Sequence, residues 1–299
     1  MNARAKAFFA RGPVFGLLLC SPALLIMAFV LIYPLLRSIS LSFQRMNLVY
    51  PALNDPFVGL ENYIRLFTQE PYFGQVLGTT ALFVIVTVLC GFTLGFILAL
   101  ILQRVRRTRV ILQTLFLLPY VVPSVALTLL WMWMFNPSFG VVNYVLKELH
   151  VIDQFRRWFV DPNLALVPLM AITVWKGGAF NMIILYAGLQ NIPIELYEAA
   201  SIDGGSALQK FRYVTLPQMR HVITVLLLLS AMYLMQFFTP IWILTRGGPG
   251  FSTTTLSIYI YRMAFERYDF GLASALGTLW FLFLAIVTFV ILRLSRRRD

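Results

Sequence analysis

The amino-acid sequence predicts an all-α polytopic membrane protein with six transmembrane helices. Three observations carry that expectation. Of 299 residues, 60% are hydrophobic and only 12% charged, and the mean hydropathy is +0.80, whereas soluble domains run near 45–50% apolar and 25% charged. Six apolar runs are each long enough to cross about 30 Å of hydrocarbon. Basic residues gather on one set of connections, as the positive-inside rule requires.

The expected spans are 13–36, 76–102, 110–135, 164–189, 222–245 and 270–292, and the chain 1–299 reads as a single transmembrane domain built from them. Five carry no charge, and the fourth carries only Lys176. The first run follows Arg4, Lys6 and Arg11 but is too long for the 7–15 residue core of a signal peptide, so it reads as an uncleaved span. Pro13, Pro22 and Pro34 are tolerable in a membrane helix, with a bend expected at Pro22.

With the N-terminus inside, the inner segments hold Arg4, Lys6, Arg11, Arg104, Arg106, Arg107, Arg109, Lys210, Arg212, Arg220, Arg293, Arg296, Arg297 and Arg298. Nine basic residues fall outside, together with eight of the twelve acids; Asp299 is among the four inside. Both termini are therefore expected in the cytoplasm, in a multi-pass membrane protein. The net charge of +12 is accounted for by membrane boundaries and anionic lipid, with no need for nucleic acid. Cys20 and Cys90 lie inside apolar runs and carry no disulfide expectation.

The stretches 37–75, 136–163 and 246–269 are long, mixed in charge and rich in aromatics, Pro and Gly, and suggest docking of a partner outside. Trp131, Trp133, Tyr259 and Tyr261 read as an interfacial aromatic belt. The inner loop 191–217 has more grammar. Pro193 suits a helix start, Glu195 places an acid in the first turn, and Gly204 with Gly205 supplies a stop. Ser206 with Gln209 forms a capping-box pattern that starts a second helix. Ala199 and Ala200, small residues on an otherwise polar element, would let another protein approach closely.

Glu198-Ala199-Ala200, then Gly204, Val214 and Leu216-Pro217 resemble the EAA loop of permease subunits of bacterial binding-protein-dependent ABC importers. Phe57-Val58-Gly59-Leu60-Glu61-Asn62-Tyr63, Leu118-Pro119-Tyr120, Asn136-Pro137, Gly247-Gly248-Pro249 and Ser252-Thr253-Thr254-Thr255 extend the resemblance to the carbohydrate branch, of the maltose, trehalose and glycerol-3-phosphate first-permease type. Val214 stands where Ile is commoner. Gly205 stands where Ala is usual, an expected loosening of the turn. The extra N-terminal spans and large outer insertion of the maltose type are absent from this sequence, so a maltose assignment does not carry over.

The resemblance implies the type I importer permease fold with a cytoplasmic coupling helix. It also implies a second related permease, an ATPase dimer and an extracytoplasmic substrate-binding protein. No G-x-x-x-x-G-K-[ST] stretch occurs, so this chain is not expected to be an enzyme or to bind a cofactor. ATP and Mg are expected in the partner ATPase. By the same analogy, Glu198, Ala199, Ala200, Asp203, Gly204, Leu216 and Pro217 form the ATPase-coupling surface.

Polar groups at membrane depth mark the expected path of the solute, because they are costly unless they face a cavity. Lys176, Asn181, Tyr233, Gln236, Phe237, Thr239 and Ser274 are the candidates, with Trp175 and Thr278 nearby. They offer the hydrogen bonds and aromatic faces that a sugar needs. An intramembrane enzyme is disfavoured, since His150 and His221 are the only histidines and no G-x-S-x-G occurs. A secondary transporter driven by an ion gradient remains the alternative, although no buried acid is available to carry a proton. The sequence does not specify the sugar.

Overall fold

The computed structural model describes residues 13–105 and 107–296. The inner charges expected at Arg4, Lys6, Arg11, Arg106, Arg297, Arg298 and Asp299 lie outside the described residues. Contacts divide the chain into two compact units, Met1–Glu70 with Ile260–Phe283, and Pro71–Tyr259 with Leu284–Asp299. Among the described residues the only β-type pairings are isolated bridges, Arg45 with Asp55 and Asn47 with Asp269.

In the first unit, α1 (Pro13–Met27) passes through a π segment, Ala28–Ile32, into α2 (Tyr33–Ser42). Together they form a span, Gly16–Ser42, whose apolar side chains are exposed within this chain. Helix α1 continues through Pro22; the irregularity falls instead just before Pro34. A proline ring clashes with the carbonyl four residues earlier, and widening the preceding turn relieves that clash.

After this span the chain is tied down rather than looped out. Buried Asn62, in α3 (Glu61–Thr68), donates through Nδ2 to the carbonyls of Ser42 at 2.9 Å and Gln44 at 2.8 Å. Tyr63 donates to Ser42 Oγ at 2.7 Å, and Arg45 pairs with Glu61. Gly59 takes φ +58°, the left-handed turn that lets Val58 N–H reach the Phe43 carbonyl at 2.8 Å. The 57–63 motif is therefore a fastening of the first span to its connector. Arg65 with Asp269 (3.3 Å) and Arg267 with Glu70 (2.9 Å) close the unit.

The second unit begins with α4 (Phe73–Arg104), which packs along α8 (Leu166–Gln190). Gly91 and Gly95 are four apart on α4 and lie against Gly178 and Asn181 of α8. Lipid gives helices little hydrophobic reason to associate, so small residues that permit close backbone contact dominate such seams. Between these two helices the chain forms α5 (Arg109–Val121), α6 (Ser124–Met134) and α7 (Val141–Glu148). The expected third span is thus not one helix: α5 and α6 meet at 93°. Pro123 has no N–H to continue α5 and holds Val122 extended (ψ 131°), which breaks the run.

The loop after α8 leads to α9 (Ile194–Ile202) and then to α10 (Ala207–Lys210). Helix α10 runs through a second π segment, Phe211–Thr215, into α11 (Leu216–Met235). This π segment also ends two residues before a proline, Pro217. The fifth apolar span therefore starts at Ala207, well before the expected residue 222, and runs to Leu244, beside the expected 245; within it α11 ends at Met235. A break over residues 236–238 separates it from α12 (Thr239–Leu244), which opens on Pro240. Helices α13 (Leu256–Phe265) and α14 (Phe270–Arg296) complete the chain. Among the described residues, five helices are long and apolar enough to cross a membrane, or six with the bent α5–α6 pair counted as one span.

Two clusters form the core of the second unit. One joins Phe96, Leu102, Met182, Leu185, Leu189, Met219 and Leu226; the other joins Phe83, Val88, Leu169, Leu234, Phe237, Ile241 and Ile258. Helices α4, α8 and α11 contribute to both, and that shared packing positions the site described next. The 247–255 segment is a compact knot. Thr254 donates to the Gly247 carbonyl and Thr253 to that of Gly248, both at 2.7 Å, with Thr253 and Thr254 fully buried.

Candidate functional site

Between α4, the α5–α6 elbow, α8 and α11 lies a cavity of about 320 Å³, near the lower end of the range for small-molecule sites. Of the expected path residues, Lys176, Asn181, Tyr233 and Phe237 line it. An adjoining hollow of about 310 Å³ shares Ser124, Tyr233, Phe237 and Pro240, and adds Gln236 and Thr239. Six of the seven candidates are thus brought together. Ser274 is not: it sits half-buried in the other unit and lines neither hollow. Trp175 is also outside the cavity lining, set edge-on to Trp131 at 5.6 Å.

The walls offer aromatic faces and a few hydrogen-bonding groups. Tyr120 stacks on Phe180 with centroids 4.9 Å apart, and Tyr233 stands edge-on to Phe237 at 6.0 Å. Asn181, 4% exposed, accepts at Oδ1 a long contact of 3.5 Å from Ser230 Oγ, and among the described residues no other hydrogen bond reaches its side chain. Gly91 leaves room beside its amide, since a Cβ there would stand 3.6 Å from Nδ2. Lys176 is occupied: Nζ donates to the Val122 carbonyl and to Ser124 Oγ, each at 2.9 Å. Among the described residues, no Asp or Glu lines either hollow.

Sequence reasoning missed Thr87. This α4 residue is 3% exposed, lines the cavity, and has a buried Oγ1 with no hydrogen-bond partner among the described residues. The usable signal was a hydroxyl at membrane depth in an apolar run. An unmet buried hydroxyl costs about 1–3 kcal/mol, so a ligand oxygen arriving there would remove a penalty already present.

The second site is the turn after α8. Helix α9 closes on Gly204, φ +76°, with Gly204 N–H donating to Ser201 O at 3.1 Å and Gly205 N–H to Ala200 O at 2.8 Å. This is a Schellman ending. The expected stop is therefore observed, but Gly205 does not loosen it: a Cβ there would lie 2.6 Å from the Ala200 oxygen. Around Gly204 a Cβ would meet open space, so its requirement is conformational rather than steric. Ser206 and Gln209 form the reciprocal capping box that starts α10. Tyr197 OH meets Thr215 Oγ1 at 2.9 Å and Lys210 donates to Ser201 Oγ at 2.7 Å, binding α9 to the start of the next helix.

Glu198, Ala199, Asp203 and Gly204 are exposed, Ala200 is half-exposed, and among the described residues neither carboxylate joins an ion pair. Leu216 packs against the core at the base, with Pro217 exposed beside it. The element is less polar than expected. Ile202 is 87% exposed, with Ile194, Leu208 and Tyr213 also projecting outward.

Broken membrane helices around a partly polar cavity, joined to a rigid exposed turn, define a membrane-embedded permease subunit. Residues 91–298 match the family described as binding-protein-dependent transport system inner membrane component. The chain belongs to that family of ABC importer permeases.

It is 35% identical to the trehalose/maltose transport system permease protein MalF of Thermococcus litoralis, covering 95% of each chain. It is 34% identical to the sulfoquinovosyl glycerol transport system permease protein SmoG of Agrobacterium fabrum, over 95% of this chain and 91% of that one. A solved bacterial alginate ABC transporter, in complex with an alginate pentasaccharide-bound periplasmic protein, contains a chain that superposes with TM-score 0.77 at 25% identity, covering 97% and 94%.

Proposed function

We propose that this chain is one permease subunit of an ATP-driven importer for a sugar or sugar-like solute. It forms the path with a second, related permease. An extracytoplasmic binding protein delivers the solute, and a cytoplasmic ATPase dimer supplies the work through the 191–217 turn, using ATP and Mg that this chain does not bind. Both termini then face the cytoplasm. The carrying observation is α9: a short helix closed at its C-terminal end by the Gly204 turn, held to its neighbour by side-chain hydrogen bonds, and presenting carboxylates that join no ion pair among the described residues, beside exposed apolar residues. Such a surface is costly in water and suited to a cleft in another protein.

The solute class rests on the cavity chemistry and on relatives named for trehalose, maltose and sulfoquinovosyl glycerol transport. Secondary transport gains nothing from the structure, since the cavity holds no acid and its lysine is already hydrogen-bonded. The test is uptake by proteoliposomes containing the complete complex, with maltose, trehalose, sulfoquinovosyl glycerol and an alginate oligosaccharide as probes. Uptake of one of them that requires internal ATP and survives collapse of ion gradients is expected; gradient-driven uptake without ATP would overturn the assignment.

Two further outcomes follow. Thr87→Val, Asn181→Ala and Tyr233→Ala should each weaken uptake of the transported probe by about tenfold, as expected for losing one buried hydrogen-bonding partner, while the complex purifies intact. Unchanged kinetics in all three would place the path elsewhere. A cysteine at position 206 should react with a membrane-impermeant maleimide only in inside-out vesicles, and labelling of intact cells would reverse the topology.

A further inference from the structure

We propose that Lys176 is a positioning residue that latches the α5–α6 elbow to α8, so that the elbow moves with α8 as one body. The last carbonyls of a helix have no intrahelical donors. At Val122 the continuation is Pro123, which removes one more N–H. In lipid, a carbonyl freed at a break must find a donor within the protein. Lys176 Nζ supplies it at 2.9 Å, and its second bond, to Ser124 Oγ at 2.9 Å, grips the first residue of the other half-helix. One ammonium thus holds both sides of a 93° bend. The placement is also electrostatically apt, because the C-terminal end of α5 carries partial negative charge. With no carboxylate lining the cavity, carbonyl and hydroxyl are the partners the structure gives this cation.

The consequence is mechanical. Helix α8 passes through the short turn at residues 191–193 directly into α9, with Asn191 N–H bonded to Gly188 O. The latch therefore extends a stiff path from the exposed turn to the bend beside the cavity. Only this coupling rests on the importer reading; the latch itself does not.

Amide hydrogen exchange on the purified complex tests both. Without nucleotide, Lys176→Met should speed exchange across residues 122–127 about tenfold, the scale of a lost charge-assisted hydrogen bond. Lys176→Arg, which keeps a cationic donor, should stay within about twofold of wild type. Ser124→Ala should give a smaller rise and add nothing to Lys176→Met. With Mg-ATP and vanadate, the elbow and α9 peptides of the wild type should change protection together; in Lys176→Met only α9 should respond. Elbow exchange unaltered by Lys176→Met, or raised equally by Lys176→Arg, would overturn the latch. A wild-type α9 that ignores nucleotide would count against the importer reading alone, leaving the nucleotide-free comparison to decide the latch.

Discussion

Gly95→Leu should prevent accumulation of the folded subunit, and Gly95→Ala should already lower the unfolding temperature of the purified complex. A Cβ at Gly95 would lie 2.6 Å from Asn181 Cβ and 2.9 Å from both the Gly178 oxygen and the Met182 nitrogen. Two of those three atoms are backbone, so α4 and α8 must separate to admit even a methyl group. Overpacking of this kind costs about 1–3 kcal/mol for small increments, and a Leu side chain demands far more displacement. Asn181 stands at this seam, so the same shift would disturb the cavity wall. Gly78→Ala is the control, since nothing lies within 4 Å of a Cβ there. Equal stability of Gly95→Ala and Gly78→Ala would show that the seam is not close-packed.

Loss of ATP-driven uptake without loss of the fold is the expected result for two changes in the exposed turn. Gly204→Val places a β-branched residue at φ +76°, a conformation costing about 1–3 kcal/mol for non-glycine residues. The Schellman ending should then open and α9 should lose its fixed orientation. Glu198→Lys leaves the backbone untouched and reverses one exposed charge. Both variants should insert in the membrane and retain the second permease. Uptake should fall at least tenfold in each, with Glu198→Lys also retaining less ATPase through size-exclusion chromatography. Normal uptake and normal solute-stimulated ATP hydrolysis in both would reduce the turn to a connector.

Much of this fold was legible because membrane spanning imposes long apolar runs, and the helix ends around 191–217 carry local capping signals that need no tertiary context. Gly204 and the Ser206–Gln209 pair are cases where a short-range rule sufficed. What was not legible depends on which element a residue meets. Pro123 and Pro240 lie within or beside apolar runs as Pro22 does, yet only the first two stand at breaks, because a proline can be absorbed or can end a helix according to its neighbours. Lys176 was visible as a charge at membrane depth, but its partners come from residues more than fifty positions away. Gly91 and Gly95 mark a helix seam only once Gly178 is known to oppose them. Ser274 had the right chemistry on a helix whose position no local pattern reveals.

Docking of α9 on a separate ATPase is open to site-specific photo-crosslinking. Ile202, 87% exposed at the end of α9, and Tyr144, 59% exposed on α7, would each be replaced in turn by a benzophenone amino acid in the assembled complex. Irradiation should join position 202 to the ATPase subunit and leave position 144 without an ATPase adduct. An intact, ATP-hydrolysing complex that gives no ATPase adduct from position 202, or gives it equally from position 144, would mean that α9 is not the ATPase contact.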